Sequence, residues 1–169
     1  MTYSMEPSRQ ADHFWLKQLS AYRDYSRQAQ DGQTKALAEK IKTLQDQHFD
    51  GNVVERLNDL LRMRHSKGWK LPAEQQELID AMQAYLIEED DVVPDSVPGI
   101  GLMDDAMVIA VVAKRLQRPL ARFCEYEDFH RRYASHGHRV TVADWERLKA
   151  QEVRSHNRVR RLRRISTPC

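Results

Sequence analysis

The stretch DDAMVIAVVAKRLQ, residues 104–117, decides the fold of this chain. Its middle, residues 106–113, is an uninterrupted run of eight apolar residues, so a helix formed here is apolar around its whole circumference. A helix of that kind is normally surrounded by other helices. Asp104 and Asp105 lie at its start, where negative charge is favourable next to the positive end of the helix dipole. Lys114 lies near its end, where positive charge is favourable. The stretch therefore predicts a central helix.

Outside this stretch, apolar residues recur at spacings of three and four, as in Leu37, Ile41 and Leu44, and sustained two-residue alternation is absent. Thr141, with Asp144 three positions later, resembles a capping box at the start of the last helix. Glycine and proline mark the breaks between segments. The spacing predicts helices over 8–30, 33–48, 52–66, 72–89, 104–117, 120–135 and 141–164. The predicted fold is an all-α, single-domain bundle of six to seven helices around the central apolar helix.

The length of 169 residues predicts one domain with a substantial core. We expect three segments packed together, residues 1–70, 72–118 and 119–169. The longest apolar run is far shorter than the roughly 20 residues that a membrane-spanning helix needs. Glu6 and Pro7 lie where a signal peptide would be apolar. These features predict a cytoplasmic protein without a transmembrane segment.

The net charge is only +2, but the charge is distributed unevenly along the chain. Residues 77–105 contain nine acids and neither lysine nor arginine, whereas residues 139–169 contain nine bases and three acids. Two segments of opposite charge can pair within one molecule, pair between two copies, or bind other partners. The sequence does not choose among these three alternatives.

A dense motif, DVVPDSVPGIGLMDD, occupies residues 91–105 between two apolar helical segments. It resembles the signature of the YkvA-like family, the domain of unknown function DUF1232, which is roughly D-x-x-P-D-x-x-P-x-x-G-x-x-D-D. The match covers about residues 72–118. Its matching positions are Asp91, Pro94, Asp95, Pro98, Gly101, Asp104 and Asp105, with Tyr85 upstream where the family often has tyrosine.

The resemblance implies a helical hairpin with a rigid, acidic connection, a bacterial source and, in some relatives, association with membranes. It implies no established catalytic activity. Residues 88–90 are acidic where many relatives carry less charge, and Ser96 stands where a large apolar residue is usual. These two differences argue against a membrane-inserted hairpin in this chain.

Backbone chemistry accounts for the motif without a ligand. Pro94 and Pro98 fix φ near −65° and disfavour helix at the preceding residues. Gly99 and Gly101 permit turns or a close approach of the backbone. Asp95 suits the acceptance of amide bonds in a turn. By this interpretation the motif is structural, and Asp104 or Asp105 caps the following helix.

A second interpretation of the motif is a divalent-cation site. Asp91, Asp95, Asp104 and Asp105 would converge if the loop folded back, and Mg²⁺ or Ca²⁺ prefers oxygen ligands of this kind. Such a site would make a metal-assisted hydrolase possible. A third interpretation is a loop that docks a partner. The structural interpretation requires no cofactor.

The end of the chain is the other candidate binding element. Residues 154–164 contain six arginines and no acid: Arg154, Arg158, Arg160, Arg161, Arg163 and Arg164. As a helix, this segment places Val159, Leu162 and Ile165 on one narrow side. It can dock on its own protein, or contact nucleic acid phosphates or anionic lipids at the inner membrane. Aromatic residues that could stack on bases are absent from it.

Taken together, these features predict a non-catalytic helical binding or adaptor protein that uses the acidic loop and the arginine-rich helix. The expected partners are another protein or a second copy of the chain. The alternatives are peripheral binding to anionic membrane or nucleic acid through the basic end, and the metal-dependent enzyme described above.

Overall fold

The computed structural model describes residues 8–22, 33–46, 51–88, 102–134 and 140–165. These ranges contain seven α-helices and no strand. The helices are α1 (Arg9–Tyr22), α2 (Gln33–Asp46), α3 (Gly51–His65), α4 (Ala73–Leu86), α5 (Met103–Arg115), α6 (Gln117–Ala134) and α7 (Val142–Ile165). The predicted all-α bundle is confirmed.

The helix boundaries follow the glycine and proline breaks closely. The predicted helix over 8–30 agrees with α1 as far as Tyr22, and its remainder lies outside the described residues. The largest differences in the described part, of three residues each, are the end of α4, at Leu86 instead of residue 89, and the start of α6, at Gln117 instead of residue 120. Pro119 does not prevent this, because the first backbone amides of a helix have no partner within it and a missing donor costs nothing there.

The chain divides into two compact units, Met1–Ala121 and Arg122–Cys169. The division falls within α6. In the first unit, α4 contacts α1, α2, α3 and α5, and α5 contacts α1, α3 and α4. These two helices therefore form the interior of the first unit, as predicted for the apolar stretch that became α5. Nearly every residue from Asp104 to Ala113 is buried, and removing this apolar surface from water is the main force that assembles the helices.

Two ion pairs in the first unit each connect one helix to another. Arg64 on α3 donates two hydrogen bonds, of 2.7 and 2.9 Å, to the two oxygens of Asp80 on α4. This bidentate geometry is the strongest form of a surface ion pair, and the hydrogen bond to Asp80 raises the pKa of Arg64. Lys114 on α5 donates to Asp12 on α1 over 2.8 Å. The two pairs hold α3 to α4 and α1 to α5.

The second unit is centred on Trp145 of α7. Its ring packs edge-to-face on Tyr126 of α6, with 6.1 Å between ring centroids. The cationic groups of Arg122 and Lys149 each lie 5.6 Å from the centroid of the Trp145 ring. Burial raises the pKa of the Tyr126 hydroxyl. Aromatic packing and cation–π contacts therefore join α6 to α7.

The start of α7 is fixed by the predicted capping box. The Asp144 side chain accepts hydrogen bonds from the backbone N–H of Thr141 (3.0 Å) and from its hydroxyl (2.7 Å). The Thr141 hydroxyl oxygen in turn accepts the backbone N–H of Asp144 at 3.3 Å. Aspartate thus takes the place of the more usual glutamate or glutamine in this reciprocal arrangement.

Within the described ranges, no helix has both the length and the apolar character that crossing a bilayer requires. The helices that are buried lie inside the first unit, and the long α7 is rich in charged residues.

The capping box makes stability depend on pH at the acidic end of the range. The hydrogen bonds from Thr141 lower the pKa of Asp144 below its ordinary value of 3.8. The bonded carboxylate therefore stabilises the fold fully above that value, and this contribution is lost as the pH falls through the lowered pKa. We predict that Asp144→Asn lowers the melting temperature by the same few degrees at pH 5 and pH 7, and by less below about pH 4. A difference that stays constant down to pH 2 would contradict this assignment.

Candidate functional site

The first turn of α5 carries the two motif acids that the structure describes, Asp104 and Asp105. They are 3% and 0% exposed. Leu102 occupies the N-cap position and forms no side-chain cap bond, so neither Asp104 nor Asp105 is the N-cap residue that the sequence predicted. Asp104 instead lies one residue inside the helix, where its Oδ1 accepts the backbone N–H of Asp105 at 3.1 Å. Both carboxylates belong to the interior of the first unit.

Tyr85 on α4 provides the partner of Asp104. Its hydroxyl donates a hydrogen bond of 3.0 Å to Asp104 Oδ2, and both groups are buried. The Tyr85 ring is held by edge-to-face contacts with Trp15 and Tyr22 of α1, at centroid distances of 5.9 and 5.4 Å. Asp104 of the motif and the upstream Tyr85 are thus joined by a direct contact between α4 and α5.

Lys40 on α2 provides the partner of Asp105. Its Nζ lies 2.8 Å from Asp105 Oδ2, and the Lys40 side chain is itself almost completely buried. A carboxylate in an apolar interior is strongly unfavourable unless a cation compensates for it. The Lys40 ammonium is that cation, and it ties α2 to the start of α5.

Together, Lys40, Tyr85, Asp104 and Asp105 form the buried aspartate cluster. The Asp104 carboxylate accepts a hydrogen bond from α4, the Asp105 carboxylate is ion-paired with α2, and neither has appreciable surface. These oxygens therefore offer little surface to a ligand from solution. The cluster therefore has a structural role, because it joins α2, α4 and α5.

The four-carboxylate metal site remains a prediction, because half of it lies outside the described residues. Asp91 and Asp95 fall there, as do the structural positions Pro94, Pro98, Gly99 and Gly101. In the part of the chain that the structure describes, no three histidine, cysteine or acidic residues are placed to hold a metal ion together.

The predicted basic element is part of one continuous helix. α7 runs without interruption to Ile165, so all six arginines occupy helical positions. Ten consecutive residues after Trp145, numbered 146–155 and including Arg154, are exposed. More than two turns of α7 therefore keep substantial exposed surface, although Leu148, Lys149 and Glu152 among them line a cleft against α6. An exposed helix of this kind offers surface to a partner.

A cleft of about 300 Å³ opens between α6 and α7 within the second unit. We call it the α6–α7 cleft. Tyr133 and Leu148 line it and remain 51% and 42% exposed. Phe129 packs on Tyr133 with 4.6 Å between ring centroids. Its lining residues are Glu125, Asp128, Phe129, Arg132, Tyr133, Trp145, Leu148, Lys149 and Glu152.

Sequence reasoning missed Lys40 and this cleft. Leu37, Ile41 and Leu44 form the apolar side of α2, and Lys40 lies on that same side. A lysine at such a position is the signal that would have indicated a buried ion pair. Phe129 and Tyr133 are four residues apart on α6, so they share one face of that helix. The sequence shows this pair of aromatic residues. Leu148, which lines the same cleft, lies on α7, so the cleft itself depends on how the two helices pack.

No protein-family model, curated protein or solved structure matches this chain significantly. The resemblance to the YkvA-like family thus rests on the motif of residues 85–105.

The ion pair of the cluster predicts the outcome of a double-variant experiment. Lys40→Met leaves the Asp105 carboxylate buried without its cation, which should lower the free energy of unfolding by about 3–5 kcal/mol. Combining it with Asp105→Leu removes the orphaned charge and should recover most of that loss. Urea denaturation measures both, with Lys42→Met on the exposed side of α2 as a nearly neutral control. A double variant as unstable as Lys40→Met would contradict this pairing.

The hydroxyl of Tyr85 predicts a smaller effect. Tyr85→Phe keeps the ring contacts but removes the donor to buried Asp104, which should cost about 1–3 kcal/mol of unfolding free energy. Tyr133→Phe, at an exposed tyrosine, should change it by less than about 0.5 kcal/mol. Equal effects of the two substitutions in urea denaturation would show that the Tyr85 hydroxyl bond contributes nothing.

Proposed function

We propose that this chain acts by binding, and that the arginine-rich half of α7 contacts the phosphate backbone of nucleic acid. The observation that carries the proposal is the run of ten exposed residues, 146–155, leading within one unbroken helix into the arginine segment. The motif acids that are described lie in the interior of the first unit, where they are paired. The exposed helix is therefore the better candidate for a binding surface.

The order of the arginines along α7 supports a polyanionic partner. Arg154, Arg158 and Arg161 are spaced four and three residues apart and so share one face of the helix. Arg160 and Arg164, also four apart, share an adjacent face. Like charges at this spacing destabilise a helix, and phosphate groups would relieve the repulsion. The segment 154–164 spans about 15 Å at 1.5 Å per residue, which is long enough to meet several phosphates.

The composition of this segment favours nucleic acid over a membrane surface. A helix that lies in the membrane interface needs a broad apolar face with anchoring Trp, Phe or Leu residues. Here the apolar side consists of Val159, Leu162 and Ile165, without an aromatic residue. Binding through phosphates alone carries no sequence information. We therefore expect a non-specific interaction with duplexes.

The proposal predicts strongly salt-dependent binding to a labelled DNA duplex of arbitrary sequence. If five or six arginines neutralise phosphates, the slope of log K against log salt concentration should be about −5. The variant Arg154→Gln/Arg158→Gln/Arg161→Gln should bind about tenfold more weakly or worse, with a slope shallower by about 2 to 3. Fluorescence anisotropy at several salt concentrations measures both quantities.

The matched control is Arg56→Gln/Arg115→Gln/Arg118→Gln, which removes the same charge from exposed positions of the first unit. It should keep the slope and most of the affinity of the unaltered chain. Equal weakening by the two triple variants would show that only net charge matters. Tight, salt-insensitive binding to anionic vesicles with none to the duplex would assign α7 to membranes and overturn the proposal.

A further inference from the structure

The α6–α7 cleft is separate from the arginine segment of α7. Its lining combines apolar and aromatic side chains with charged ones, and we call the charged lining residues its rim. Tyr133 and Leu148 are large and exposed, and the Tyr133 ring packs on that of Phe129. Apolar surface that gathers in a concave site usually marks a place where another molecule packs.

The described part of the second unit buries few side chains. Among its described side chains, those classed as buried are Phe123, Tyr126 and Trp145. A small unit buries too small a fraction of its surface to be very stable alone. Helical pairs of this kind gain stability when further helices cover their apolar side, as in a four-helix bundle. The α6–α7 cleft lies on the apolar side of the pair formed by α6 and α7.

The rim of the cleft indicates what covers it. It carries acids, Glu125, Asp128 and Glu152, together with bases, Arg132 and Lys149. Glu125 and Lys149 already form an ion pair across the two helices. A symmetric dimer uses the same patch on both copies, so the patch must be complementary to itself. A rim of one sign would repel its own copy, whereas apolar residues together with charges of both signs meet this requirement.

We propose that a second copy of this chain packs on the α6–α7 cleft and forms a two-fold symmetric dimer. Tyr133 and Leu148 of each copy lie in the centre of the interface, where water is excluded. The charged rim residues surround them and set the register. The dimer forms without nucleic acid and is independent of the arginine segment.

Sedimentation equilibrium of the full-length chain, from micromolar to submillimolar concentration and without nucleic acid, tests this dimer. The unaltered chain should dimerise, and Leu148→Arg should raise the dimer dissociation constant about tenfold or more, as is typical for a central interface residue. Tyr133→Arg, on the other helix, should have the same effect. Both positions are exposed, so circular dichroism should show unchanged helix content.

Val153→Arg is the matched control, because Val153 lies on α7, is 59% exposed and does not line the cleft. It should leave the dissociation constant unchanged. A chain that stays monomeric throughout the concentration range would overturn the proposal and leave the cleft to a different protein. Equal weakening by Val153→Arg and Leu148→Arg, or a dimer unaffected by both Leu148→Arg and Tyr133→Arg, would also overturn it.

Discussion

The ion pair between Lys40 and Asp105 is the constraint on which the first unit depends. The most apolar helix of the chain, α5, begins with two carboxylates that its position forces into the interior. Burial of such groups is tolerated only because Lys40 arrives from α2 and Tyr85 from α4. Of the many ways in which apolar helices can pack, we expect these two contacts to favour the one in which Lys40 of α2 and Tyr85 of α4 both reach the start of α5.

This arrangement separates the two charged features of the sequence. The motif acids that the structure describes turn inward, where Asp104 is hydrogen-bonded to Tyr85 and Asp105 is ion-paired with Lys40. The basic residues of α7 belong to a helix whose residues 146–155 are exposed. We accordingly place the proposed contacts with other molecules on the second unit, in the arginine segment and the α6–α7 cleft. The first unit would then act as a stable framework.

The sequence predicted the helices well, because each one has an apolar stripe and a local terminator. The apolar run 106–113 identified the central helix, and Thr141 with Asp144 identified the start of α7. The roles of individual acids were harder to predict. Asp104 and Asp105 look like cap or metal residues in the sequence, and their burial depends on Lys40, more than 60 positions away. The cleft likewise depends on how α6 packs on α7, which no local pattern encodes.

The central claim is that α7 contacts nucleic acid while the buried aspartate cluster holds the framework. Amide hydrogen exchange of the full-length chain, with and without a DNA duplex, tests both parts in one measurement. We predict slower exchange across residues 146–165 when the duplex is present, and unchanged, slow exchange in α4 and α5. Slower exchange at the start of α5 on addition of the duplex, with α7 unaffected, would contradict the claim.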